Sequence, residues 1–173
     1  KVEDTVITKT ICMEYGKNTV GIYYKIKNGE KDAKLTISPI MNFRDFHSMS
    51  TNSKFELRQD IKRNKVKIII DNHKQNPIYM YLSEGKYHPH ENDVFYNMFY
   101  IEEEKRGFYP EENHIVVGSY QIGIRPYEER ELSFICSFEE NIDEINVKEL
   151  MKREKERKEK IKKDTKLMEE SKD

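Results

Sequence analysis

Between Val6 and Phe138 the sequence repeats one device: short apolar runs that alternate residue by residue, each closed by turn chemistry. Val20, Ile22, Tyr24 and Ile26 alternate with Gly21, Tyr23 and Lys25. A period of two sends successive side chains to opposite faces of a strand, so such a run has one face to bury. Ile78, Met80 and Leu82 alternate with Tyr79 and Tyr81 in the same way. Val6–Met13, Leu35–Ile40, Phe55 with Leu57, Val66–Ile70, Val94–Ile101, His114–Ile124 and Leu132–Phe138 read as further strands. Asn28-Gly29 tolerates positive φ and marks a hairpin, lengthened by Glu30-Lys31-Asp32, and Asp71-Asn72 begins another turn. Ser83–Asp93 reads as a polar loop. Strands this closely spaced, with no helical pattern between them, predict a mainly β, antiparallel β-sandwich over residues 1–140. Eleven Tyr and eight Phe supply a packed, β-rich core.

Past Phe138 the pattern changes. Lys148 to Asp173 is almost wholly Lys, Arg and Glu. Over the whole chain apolar and charged residues each make up 36% and mean hydropathy is −0.92, values that would indicate disorder if spread evenly. They are concentrated in this tail. Asn141 or Asp143 can cap a helix, and Glu149/Arg153, Glu154/Lys158, Glu156/Lys160 and Glu159/Lys163 are acid-before-base pairs four residues apart. Residues 141–173 are expected to form a solvated, charged linker helix. The net charge of −1 with both signs interspersed gives no electrostatic footprint for nucleic acid. The longest apolar run, Ile68-Ile69-Ile70, predicts no membrane span, and no secretory pattern opens the chain. Cys12 and Cys136 fall in expected strands and read as free thiols, which suits a reducing cytoplasm.

Three constellations carry possible chemistry. After Pro39, which should end regular ladder pairing, come Asn42, Arg44, Asp45 and His47, interleaved with Phe43 and Phe46. Arg44 offers a fork of donors, Asp45 accepts, and His47 does either, a set that suits adjacent sugar hydroxyls. The same residues equally make an Arg–Asp pair that pins a long loop over two buried rings. His88-Pro89-His90-Glu91 with Asp93 has zinc-ligand residue types, but without a helical frame it is expected to be an exposed polar loop. Glu102–Glu104 and Glu111-Glu112 could supply a glycosidase pair, yet a run of acids at a strand end reads as a solvated edge. There is no Walker-type loop, no G-x-S-x-G and no C-x-x-C, so no catalytic residue, cofactor or metal is expected. Tyr79 and Tyr81, taken as exposed, support an alternative: a self-standing, lectin-like carbohydrate-binding module.

Three segments in order carry a resemblance. "MEYGKNTVGIYYKI" (Met13–Ile26), "LTISPIMNFRDFHSM" (Leu35–Met49) and "FYNMFYIEEEKRGFYPEENHIVVGSY" (Phe95–Tyr120) together resemble the N-terminal domain of bacterial and archaeal glycogen debranching enzymes. The sequence departs from that pattern in having no Trp, with Phe95 or Tyr96 in its place, and in having Val117-Gly118 where Pro-Gly is usual. The resemblance implies a supersandwich packed against an α,α-toroid that carries the amylo-α-1,6-glucosidase chemistry. The charged helix would then begin the linker to that toroid. The chain would be an inactive-alone module that helps position branched α-glucan in glycogen breakdown. Asn42, Arg44, Asp45, Phe46 and His47 become expected substrate-binding or interdomain residues.

Overall fold

The computed structural model describes residues 4–45, 48–51, 56–70 and 74–170, the last five and Asn92 as backbone alone. Phe46, His47, Phe55 and the expected turn at Asp71-Asn72 lie outside the described residues. The ten strands described are β1 (Val6–Met13), β2 (Thr19–Lys27), β3 (Ala33–Ile37), β4 (Ile40–Met41), β5 (Leu57–Lys62), β6 (Lys65–Ile70), β7 (Ile78–Leu82), β8 (Lys86–Phe99), β9 (Glu111–Ile124) and β10 (Glu129–Ser137). A short helix α1 (Ile101–Lys105) joins β8 to β9, and a long helix α2 (Val147–Glu170) ends the described chain.

The strands form two antiparallel sheets, the expected sandwich. One has six strands in the order β1-β2-β10-β7-β6-β5; in the other, β9 pairs β3 and β4 along one edge and β8 along the other. The alternation works as the sequence implied. Tyr24, Ile26, Ile68, Met80, Leu82, Leu132 and Phe134 meet Ile115, Val117, Tyr120 and Ile122 in one buried core. Aromatic rings bridge the two layers there. Tyr87 on β8 lies 4.8 Å from Tyr120 on β9, and Tyr120 meets Phe134 on β10 edge-on at 5.9 Å.

Pro39 interrupts pairing without ending it. Ile37 faces Tyr120 and Ile40 faces Val116, so the ladder resumes with its register slipped by one residue. The segment expected as a polar loop is instead the first half of β8: Lys86 to Pro89 pair with Gln121 to Gly118. Polarity misled because β9 offers a free edge, and Pro89, lacking an N–H, is tolerated on an edge strand. Glycine at 118 has a steric cause here. A Cβ on it would sit 2.4 Å from the Tyr87 hydroxyl and 2.6 Å from the His88 carbonyl oxygen. That hydroxyl donates to the Val117 carbonyl at 2.9 Å and lies 2.7 Å from Gln59 Oε1. Gly118→Ala is therefore expected to cost about 1–3 kcal/mol by overpacking. A thermal melt unchanged from the parent would contradict this.

Glu102–Glu104, expected on a strand edge, occupy the first turn of α1. The turn is fixed at its far end. Gly107 (φ 78°) donates to the Glu104 carbonyl at 2.9 Å and Phe108 to that of Glu103 at 3.0 Å, a Schellman closure that needs a left-handed residue. The Arg-Gly of the third quoted segment is that helix stop.

Helix α2 is largely exposed from Lys155 to Thr165, as its charge suggested, but its first turns dock on the sheet. It begins at Val147, capped by the Asn146 side chain, which accepts from the N–H groups of Lys148 and Glu149 at 3.1 and 3.2 Å. Asn141 starts only a single 3-10 turn, Ile142–Glu144. Ile142, Val147 and Leu150 are fully buried. Ile142 and Val147 pack with Tyr79 and Ile135 on the outer face of the six-stranded sheet. Tyr79, expected exposed, is therefore covered, and Tyr81 is half-buried.

Candidate functional site

The segment after Pro39 folds across one end of β9. Alternation along β9 sends Ile115 and Val117 into the core, and Glu112 and His114 to the opposite face. An acid on that face would normally be solvated. Glu112 is instead almost wholly buried, and Arg44 and Ser50 of the segment after Pro39 bond to it. Arg44 supplies the countercharge: its Nε and Nη2 donate to the two Glu112 oxygens, the second at 3.1 Å. The Ser50 N–H adds a hydrogen bond to Glu112 Oε1 at 2.9 Å. Asn113 locks the same segment, its N–H donating to the Ser50 carbonyl at 2.7 Å and its amide to that of Thr51 at 3.0 Å.

Burial pushes the Glu112 carboxyl up, but the opposing hydrogen bonds from Arg44 and Ser50, with the nearby Asn42 amide, hold it at about 2. Asn42 favours the charge by proximity alone, since both its polar side-chain atoms are buried without a hydrogen bond. The Glu112 bonds in turn hold the Arg44 guanidinium above its ordinary range. Tyr100, at the start of α1, faces this pair. Burial raises its hydroxyl first and the Glu112 charge second, and it lies 2.9 Å from His114 Nε2.

Arg44 thus forks onto Glu112, and its Nη1 also donates to the Asp45 carbonyl at 3.0 Å. Asp45 itself is exposed. Residue types alone pointed to a pin between neighbours. The partner is 68 positions away, and no local pattern marks it. Of the other constellations, His90 contacts Asp93 Oδ2 at 3.0 Å and Ser119 Oγ at 3.4 Å on the edge strand. Among the described residues no group of three His, Cys, Asp or Glu side chains converges as a metal site. Cys12 and Cys136 are free.

Next to the pinned segment stands a surface built from the third quoted segment. The β8–α1–β9 hairpin tip carries Phe95, Tyr96, Phe99, Ile101, Phe108 and Tyr109, each between 48% and 64% exposed. Large apolar side chains gathered in the open mark a surface that meets something. Tyr100 roots this tip in the Arg44–Glu112 pair, and its N–H donates to the Pro110 carbonyl at 2.8 Å.

Comparison with protein-family models finds a match to the glycogen debranching enzyme N-terminal domain over residues 1–131. The chain belongs to the glycogen debranching enzyme N-terminal family. The match covers all three segments that carried the sequence resemblance, and within it lie the pinned segment and the aromatic tip. No curated protein matches the chain. Among the described residues no helix is long and apolar enough to cross a membrane.

The ionisation of Glu112 has a consequence for acid stability. Its folded pKa, about 2, is below the ordinary 4.5, so it contributes stability above pH ~4.5 that is lost as pH falls toward ~2. The shift corresponds to about 3 kcal/mol. Between pH 7 and 3, Glu112→Gln is expected to flatten the fall in melting temperature relative to the parent. Parallel curves would show that another carboxylate governs acid unfolding.

Proposed function

We propose that this domain serves the glucosidase chemistry of a debranching enzyme without performing it, by presenting a preformed face to the catalytic domain and to the branched α-glucan. The family supplies the enzyme class and its glucan substrate. The observation that supports this reading is the fork of Arg44 on the buried Glu112, which holds residues 42–45 and 48–51 beside the exposed aromatic tip. In this reading Asn42, Arg44, Asp45, Phe46 and His47 form the loop of that face. Arg44 positions it, and Asp45, Phe46 and His47 are its contact residues. Residues 1–140 are the sandwich, the charged helix continues toward an α,α-toroid, and the enzyme works in the cytoplasm, as the free thiols suit. The lectin-like alternative loses its main support with Tyr79 covered.

In the full-length enzyme, Asp45→Ala, His47→Ala and the double change Phe108→Ala/Tyr109→Ala are expected to lower debranching of a limit dextrin at least tenfold, about 1.4 kcal/mol of transition-state stabilisation. Melting temperature should stay within about 2 °C of the parent in the Asp45 and Phe108/Tyr109 variants, since their exposed side chains contribute little to stability. Full activity in all three would overturn the assignment of this face.

A further inference from the structure

We infer that the domain carries a second carbohydrate site, a groove on the outer face of the six-stranded sheet where α2 begins, which holds a short stretch of α-glucan. The inference rests on the glucan reading above for its ligand class, but its location and residues are independent of the face around Arg44.

The groove has a volume of about 440 Å³, within the ~300–1,000 Å³ usual for small-molecule sites. Its floor is built by three neighbouring strands or their ends. Ser133 on β10 faces Tyr23 on β2, and on its other side exchanges backbone and side-chain hydrogen bonds with Ser83, just past β7, at 2.9 and 3.0 Å. One wall is a braced unit: Lys148 Nζ sits 5.1 Å above the Tyr23 ring and is paired with Glu131. The opposite side is Tyr81, half-buried, with Glu84 held by Arg130. The 3-10 turn and the Asn146 cap of α2 close one end.

Three properties select the ligand. The Tyr81 and Ser133 hydroxyls border the groove with no protein hydrogen bond among the described residues, so they are available as both donors and acceptors. Glu84 and Glu131 are each fixed by a cation yet keep further acceptor positions for ligand hydroxyls. Of the lining acids, Glu84, Glu131 and Asp143 are paired with Arg130, Lys148 and Lys65, which leaves Glu144 and a nearly neutral groove that favours an uncharged ligand. A neutral, hydroxyl-rich chain with an apolar C–H face for the Tyr81 ring fits all three.

Titration of the ¹⁵N-labelled 173-residue chain with maltoheptaose, read by amide chemical shifts, tests the site. Shifts are expected at Ser83, Glu84, Glu131, Ser133 and Lys148, with affinity reduced at least fivefold in Tyr81→Phe and in Glu84→Gln. Both variants keep the packing volume, so their melting temperatures should match the parent's. Absence of shifts at millimolar maltoheptaose, or shifts confined to residues 42–51 and 95–109, would overturn the inference. So would groove shifts with the cation spermidine and none with maltoheptaose. Loss of activity in the Asp45 or Phe108/Tyr109 variants with a silent groove sinks this site alone. A filled groove with those variants fully active sinks the proposed face alone.

Discussion

Arg44→Ala is expected to destabilise the domain by about 3–5 kcal/mol, the usual result of stripping the partner from a buried charge. Glu112 has no exposed side-chain surface, so the remaining carboxylate cannot recover its hydration. It must protonate, or the chain around Ser50 must lift to admit water. For a domain of this size the loss corresponds to a melting temperature lower by about 10 °C. Arg44→Lys should fall between, because an ammonium cannot serve both carboxylate oxygens as the guanidinium fork does. The paired replacement Arg44→Met/Glu112→Leu should restore much of the stability, since it removes both charges and fills similar volume. Its enzyme should still be impaired, because the hydrogen bond from the Ser50 N–H to the Glu112 side chain would be gone and the segment held by Asn113 alone. A single mutant that melts with the parent would mean that the fork is dispensable and the segment is held by Asn113 alone.

The strands were legible because burying one face writes a period of two into the sequence, and Ile22-Tyr24-Ile26 and Ile78-Met80-Leu82 show it without interference. β8 was not, since its first half carries His88, Pro89, His90 and Glu91, residues that suit a loop until the free edge of β9 is known. The acids of α1 were misassigned for a related reason. A five-residue helix is too short to display its period, and only the Gly107 stop betrays it. At the candidate site, composition singled out the segment that carries Arg44 but not Glu112, the acid it forks onto. Arg44 and Asp45 are adjacent in sequence, whereas the Arg44–Glu112 fork depends on the one-residue slip after Pro39 and on how far the chain then crosses β9. Long-range ion pairs of this kind leave no spacing to read. The aromatic tip was quoted as a motif for its resemblance, but exposure, which gives it meaning, is a tertiary property.

Ending the chain at residue 140, the boundary that composition suggested, is expected to unfold or severely weaken the sandwich. The first turns of α2 and the 3-10 turn before it bury Ile142, Val147 and Leu150 completely, and cover Ile135 and Tyr79 on the outer sheet face. Each fully buried aliphatic side chain contributes about 1.5–3 kcal/mol. Losing three, and baring the sheet beneath them, removes most of a stability that for such domains totals only about 5–15 kcal/mol. The helix also grips the β1–β2 turn. Glu154, itself buried, accepts from the Tyr15 N–H at 3.0 Å, and Arg157 lies 4.3 Å over the Tyr15 ring while pairing with Glu154 at 2.8 Å. The Tyr-Gly-Lys-Asn-Thr segment that carried the first part of the resemblance is that gripped turn. A chain ending after Ile161 keeps every one of these contacts and should melt within a few degrees of the whole, whereas residues 1–140 should show rapid amide exchange across β2, β7 and β10. Should the 1–140 fragment melt with the full chain, the docked turns would be ornamental and the boundary at 140 physically real.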